Sequence, residues 1–295
     1  MPGTDRWRNW AGNQTATGVT VVHPASTDEI AATLATASAA GRRVRPIGSG
    51  HSFSALGRPE DVQLVLDRHA GLVDVDATGL ATVRAGTTLY RLDAELAARG
   101  WALTNLGDID RQTIAGALAT GTHGTGAEFG GLTSQVRALE LVLADGSVLR
   151  CSPTEHPDVH SAARLGLGAL GVLSTVTLQT VPAFALRAEE GPGRLPELVE
   201  SFAEYMTSAD HVEFYWFPHT DRRLTKRNTR VPLSDGLAPL PRWRAVWDDE
   251  LLANAALGAV VAAGRRVPAL VRPLAGVSAR ALGSRTMTDL SLIHI

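Results

Sequence analysis

The chain has 295 residues, with 28 basic against 30 acidic side chains, a formal charge of −2 and one cysteine. That length predicts two domains, or one and a fragment of another, and the balanced charge, with no basic block, argues against nucleic acid as a partner. Cys151 alone excludes an internal disulfide and a cysteine-based zinc cluster, and fits a reducing compartment. The start, MPGTDRWRNWAGNQ, lacks an apolar signal core, and the longest apolar run, Leu251 to Ala263, is interrupted by Asn254 and too short for a membrane span. A soluble, cytoplasmic protein is the expectation.

In chain order, STDEIAATLATASAAG predicts the first helix: Ser26 precedes Glu29 at capping-box spacing, Ile30, Thr33, Leu34 and Ala37 share a face, and Gly41 ends it. RRVRPIGSG predicts a short strand running into a glycine turn. VQLVL, LVDVD and ATVRAG read as strands, followed by a helix over Thr88–Arg99 closed by Gly100. VRALELVLADGSVLRC predicts two strands joined by a two-residue turn at Asp145-Gly146, and GALGVLSTVTLQTVP a β-branched strand stopped at Pro182. Glycine and proline cluster in EEGPGRLPE, residues 189–197, which marks a domain boundary before an amphipathic helix in LPELVESFAEYM. The mixture is α+β.

Two glycine-rich segments carry the candidate chemistry. In PIGSGHSFS, Gly48 and Gly50 let the backbone turn tightly before His51 and let amides approach an anion, although a plain strand-ending turn has the same composition. The dinucleotide fingerprint fails because Phe53 stands at the third glycine position, and the nucleophile elbow fails because Ser54 stands at its last. His51 has no carboxylate or second histidine at ligand spacing, so no metal is expected. In NLGDIDRQTIAGALATGTHGTGAEFGG, residues 105–131, glycines alternate with hydroxyl residues. Such a backbone can lie against a large planar ligand or form a surface loop; the apolar Ile114, Ala115, Ala117, Leu118 and Ala119 argue for burial.

Together with HSAARLGLGALGVLSTVTLQTVPAF, these segments resemble the vanillyl-alcohol-oxidase superfamily, in particular its sugar-lactone and alditol oxidases, over about residues 15–220. The resemblance implies a PCMH-type FAD-binding domain of two α+β subdomains over residues 1–188, and an incomplete α+β substrate-binding cap over 189–295 that includes HVEFYWFPHTD. It implies FAD as cofactor, bonded covalently through His51 to the flavin 8-methyl carbon. Pro46, Ile47, Gly48, Ser49, Gly50, His51 and Ser52 match the loop around the FAD pyrophosphate. Asp108, Thr113, Gly116, Thr120, Gly121, Thr122 and His123 match positions lining the flavin and ribityl chain, and Val172 matches a flavin-contacting backbone position. Asp108 departs from relatives that carry serine there, and His123 reads equally as a buried imidazole bonded to backbone.

The implied reaction is oxidation of a CH–OH group of a sugar lactone or polyol, with molecular oxygen as acceptor and hydrogen peroxide as product. A cytochrome or quinone acceptor and a catalytically inactive FAD-binding fragment are the alternatives. The enolpyruvyl-glucosamine reductases share the flavin fold but place no histidine for attachment after the glycine turn, and rank lower. The family's catalytic Glu, Arg, Lys and His-Trp-x-Lys residues are not identifiable, and the ending RTMTDLSLIHI reads as a C-terminal truncation with the catalytic residues beyond Ile295.

Overall fold

The structure is a computed structural model that describes residues 4–241, 243 and 256–290; the SLIHI ending and the first five residues of the Leu251–Ala263 run lie outside them. Contacts divide the chain into two compact units, Met1–Gly124 with Gly130–Ala183, and Thr125–Phe129 with Phe184–Ile295.

The first unit contains two sheets. One has four strands, β1 (Thr4–Arg8), β2 (Thr15–Val22), β3 (Val44–Ile47) and β4 (Val62–Val65), in the order β1-β2-β4-β3. β1 and β2 form an antiparallel hairpin, while β2 and β3 both run parallel to β4. The other sheet is antiparallel, in the order β5 (Leu72–Val75), β6 (Leu80–Arg84), β10 (Val172–Pro182), β8 (Val136–Val142), β9 (Val148–Cys151); the short β7 (Trp101–Leu103) joins the far half of β10.

Helix α1 (Thr27–Ala39) forms where its sequence predicts: Ser26 Oγ accepts the Glu29 N–H at 3.2 Å. The Glu29 carboxylate reaches back to the Ala25 N–H at 2.7 Å, one residue beyond the N-cap N–H that a reciprocal capping box would bond. Its apolar face packs Ile30 and Leu34 with Leu64 and Leu66 at the end of the first sheet, and with Ala85, Val142 and Val172 of the second. Fully buried side chains such as Ile30 and Leu64 each stabilise the unit by about 1.5–3 kcal/mol, so this shared core holds the two sheets together. Along β10, Val172, Ser174, Val176, Leu178 and Thr180 are buried in strict alternation, the period of a strand with one face in the core.

Helices α2 (Leu89–Ala97), α3 (Ile114–Ala119) and α4 (Pro157–Ala163) complete the unit. The β8–β9 loop is one residue longer than the sequence suggested. Leu143 N–H donates to Ser147 O, and only Gly146 takes positive φ (+86°), while Asp145 instead accepts the Ser147 N–H at 2.9 Å. The side-chain bond makes a left-handed Asp145 unnecessary.

In the second unit a four-stranded antiparallel sheet runs in the order β12 (His211–Trp216), β13 (Arg222–Val231), β11 (Ala185–Arg194), β14 (Arg285–Asp289). The Gly/Pro cluster that marks the expected domain boundary is mostly strand. Beyond Glu190, β11 is paired, among the described residues, only with β13, so the missing N–H of Pro192 falls where the strand has one described neighbour. The helix expected over 195–206 is broken into α5 (Leu195–Glu200) and α6 (Phe202–Met206) at Ser201, whose hydroxyl donates to Glu197 O.

One face of this sheet carries Leu186, Ala188 and Met287 in an apolar cluster. On the same face a cross-strand row of alternating charge, Glu213, Lys226, Glu190 and Arg285, runs across all four strands. Arg285 binds both Glu190 oxygens at 2.6 and 3.0 Å, and Lys226 lies 3.3 Å from Glu213. Thr125–Phe129 is clasped in this unit: His211 Nδ1–H donates to Thr125 O at 2.9 Å, the His211 ring stacks on Phe129, and the Arg230 guanidinium sits over Phe129 and Phe184.

Candidate functional site

Strand β3 leaves its sheet at Ile47 and turns back through Gly48–Ser52, with Gly50 at φ +72°. Against this turn lies the start of α3, whose N-cap Thr113 accepts the Gly116 N–H at 3.2 Å. The approach is close: a Cβ on Gly48 would stand 2.7 Å from Thr113 Oγ1, so glycine is required while that hydroxyl keeps its place at the cap. The Ser49 hydroxyl, donating to Arg111 O, fastens the same junction.

The segment before β10 forms a third wall, with Leu167 at φ +51°, an unusual value for a branched side chain. Gly168 faces Pro46 across the gap, where an added Cβ would stop 3.8 Å from the proline ring. Between these walls is a cleft with about 1350 Å³ of space, open mouth included. Its lining is apolar and glycine-rich, with Ile47, Ala115, Leu170 and Val172 on its walls. Arg45 supplies a fixed positive charge, and among the described residues no carboxylate lines the cleft.

A fourth element braces the turn from outside. The tip of the β1–β2 hairpin donates three bonds to it: Trp10 N–H to Gly50 O, Asn9 Nδ2–H to Ser52 O and Asn13 Nδ2–H to Phe53 O, each 2.9 Å. Asn9 is buried, and the Trp10 indole stacks on the His51 imidazole with centroids 5.4 Å apart and planes 22° from parallel.

Of the residues singled out from the sequence, Pro46, Ile47, Gly48, Ser49, Gly50, His51, Ser52, Thr113, Gly116, Thr120 and Val172 line this one cleft. Asp108, Gly121, Thr122 and His123 lie outside its lining. Asp108 is exposed. His123 is exposed as well, so it is not a buried imidazole, and its ring donates to Gly124 O at 2.9 Å. Thr122 reaches Gln112, which does line the cleft, through a 3.0 Å bond. Gly121 faces Leu165, and Gly124 lies under Asn105 and the Leu106 carbonyl; the protein itself excludes side chains at both.

Sequence reasoning missed Arg45, Gln112, Leu167 and Leu170 in the lining and Trp10 behind it. The Leu-Gly alternation of ARLGLGALGV was the available signal for the third wall. Cys151 is buried, and burial pushes its thiol up, which makes it an inert core residue. Among the described residues no three histidine, cysteine or acidic side chains converge on a metal position, and no helix is long and apolar enough to cross a membrane.

A glycine-rich, acid-free cleft between two small α+β layers is the architecture of a PCMH-type FAD-binding domain. Residues 19–152 match the FAD binding domain family and residues 176–293 the D-arabinono-1,4-lactone oxidase family. These two matches support assignment of the chain to the sugar-lactone oxidase group of the vanillyl-alcohol-oxidase superfamily. It is 38% identical over 284 residues to an L-gulono-1,4-lactone dehydrogenase of Mycobacterium tuberculosis, covering 96% of this chain and 65% of the relative. It is 39% identical to a putative D-arabinono-1,4-lactone oxidase of Neurospora crassa (73% of this chain, 39% of the relative) and 36% identical to L-gulonolactone oxidase of Mus musculus (73% and 49%). The chain thus spans less than two thirds of the length of these relatives. Among solved structures, cholesterol oxidase from B. sterolicum superposes with a TM-score of 0.74 at 18% identity, over 97% of this chain and 60% of that one, a likeness of fold.

Proposed function

We propose that the chain is the flavin-holding part of an FAD-dependent oxidoreductase that oxidises a CH–OH group of a sugar lactone or a related polyol. The observation that carries this reading is the convergence of three separated segments, Pro46–Ser52, Thr113–Thr120 and the loop before Val172, on one acid-free cleft. FAD fits its donor set. Backbone amides of the Gly48–Ser52 turn and the Arg45 guanidinium suit an anionic pyrophosphate, and the exposed Leu167 and Leu170 offer apolar surface for a planar ring to cover. When bound, FAD supplies the acceptor for a hydride from the substrate carbinol carbon.

The chain's own residues then bind and orient. Arg45 and the turn would hold the charged pyrophosphate, Ala115, Leu170 and Val172 would exclude water from the cleft, and His51 would carry the flavin through a covalent bond that fixes its position. The first unit serves the cofactor and the second begins the substrate-binding part. Oxygen as acceptor, yielding hydrogen peroxide, is the first reading. The Mycobacterium tuberculosis relative, which matches nearly the whole chain and is named a dehydrogenase, favours a second, in which a cytochrome or quinone takes the electrons.

The test uses the protein in its full natural length with a panel of aldonolactones and polyols, following oxygen consumption and, separately, reduction of cytochrome c and of a quinone. Turnover with lactones supports the reading, and oxygen uptake against cytochrome or quinone reduction decides the acceptor. Acid-precipitated protein should stay yellow, and His51→Ala should release its colour. No flavin on purified protein, and none taken up from added FAD, would overturn the proposal.

A further inference from the structure

We propose that Trp10 is a positioning residue for His51, holding its imidazole in the orientation in which it bonds to the flavin. The inference rests on the reading of His51 as the attachment residue. Its observations are independent of that reading. His51 lines the cleft, Trp10 does not, and the indole covers one face of the imidazole in a near-parallel stack.

Trp10 is 68% exposed, so it adds little to the core, and its neighbour Phe53, 63% exposed, meets it edge-on at 6.3 Å. An indole held in solvent against one histidine, with Phe53 edge-on to the indole, restricts the rotation of that histidine more than it stabilises the fold. The backbone beneath is fixed to match: the Trp10 N–H holds Gly50 O, and Asn9, 3% exposed, holds Ser52 O, so the residues on both sides of His51 are tied to the hairpin that presents the indole.

Attachment replaces one C–H bond of the flavin methyl group and one imidazole N–H by a C–N bond. The two electrons and two protons released go to the flavin and then to dioxygen, giving hydrogen peroxide. The imidazole nitrogen must meet the methyl carbon in line, and a freely rotating ring spends less time there.

The test loads apo full-length protein, as wild type, Trp10→Ala and Trp10→Phe, with FAD under air. Acid-precipitable flavin is followed against time, and non-covalent FAD uptake is measured separately by quenching of flavin fluorescence. In Trp10→Ala, attachment should slow by about two- to tenfold, the worth of one aromatic pair, with uptake unchanged; Trp10→Phe, which keeps a stack, should recover most of the rate. The His51 ring protons, shifted upfield by the indole in wild type, should move downfield in Trp10→Ala alone. Attachment at the wild-type rate in Trp10→Ala overturns the inference, as does a parallel loss of uptake and attachment, which marks a merely structural role. Wild-type protein that takes up FAD yet forms no acid-stable flavin overturns the His51 reading itself, and the inference with it.

Discussion

Gly48→Ala probes the junction on which the cleft depends. The new Cβ would stand 2.7 Å from Thr113 Oγ1, well inside ordinary van der Waals contact, and the next nearest atom, Gly116 Cα, is at 3.6 Å. The strain therefore has one source. Either Thr113 rotates its hydroxyl away and gives up the cap on α3, costing about 1 kcal/mol, or the turn shifts from α3 and the overpacking costs about 1–3 kcal/mol. With a urea slope of about 2 kcal/mol per molar, the unfolding midpoint should fall by roughly 0.5–1.5 M. Thr113→Ala removes both the cap and the obstacle. Alone it should cost about 1 kcal/mol, and in combination with Gly48→Ala scarcely more, a coupling of about 1–3 kcal/mol between the two positions. Urea titrations of wild type, both single variants and the double variant measure this directly. Strictly additive losses, or a Gly48→Ala midpoint equal to wild type, would refute the claim that the Thr113 hydroxyl is what requires glycine at 48.

Asn9→Ala should destabilise the first unit by about 1–3 kcal/mol, since it removes the donor to Ser52 O and leaves the Gln14 N–H without the Asn9 Oδ1 it now uses; limited proteolysis should then cut first within 50–53. Acidification should weaken both units. Burial holds His160 and His211 below the ordinary histidine value, so the folded chain keeps them neutral while the unfolded chain protonates near pH 6.5. Their contribution is complete above that pH and is lost as the pH falls below it, at up to about 1.4 kcal/mol per pH unit for each histidine. Urea midpoints between pH 8 and 5 should show the decline, and His160→Gln with His211→Gln should flatten it; an unchanged slope in the double variant would assign the acid sensitivity elsewhere.

Local elements were legible because their causes are local. The Ser26 cap, the 3.6-residue spacing of Ile30, Leu34 and Ala37, and the β-branched run of β10 stopped at Pro182 are each set by neighbours within a few positions, and each element formed where its pattern lay. The Gly/Pro cluster of 189–197 did not show its strand, because composition does not report pairing: a strand with one neighbour tolerates Pro192, and only the register with β13 reveals that it is a strand.

The sequence by itself determined an α+β chain with two glycine-rich segments and a histidine at the end of a tight turn, since hydrophobic period and glycine placement are properties of short stretches. The tertiary structure alone decided which glycines face a cleft and which face protein. Gly48 and Gly116 meet at the cleft, whereas Gly124, in an equally glycine-rich run, is covered by Asn105 and Leu106. It also decided that Trp10 stacks on His51, forty-one positions away in the chain, and that Thr125–Phe129 packs with residues 184–231 of the second unit. The reason is physical: a missing side chain permits close approach by anything, and what approaches is chosen by the long-range packing of sheets whose partners lie far apart in sequence.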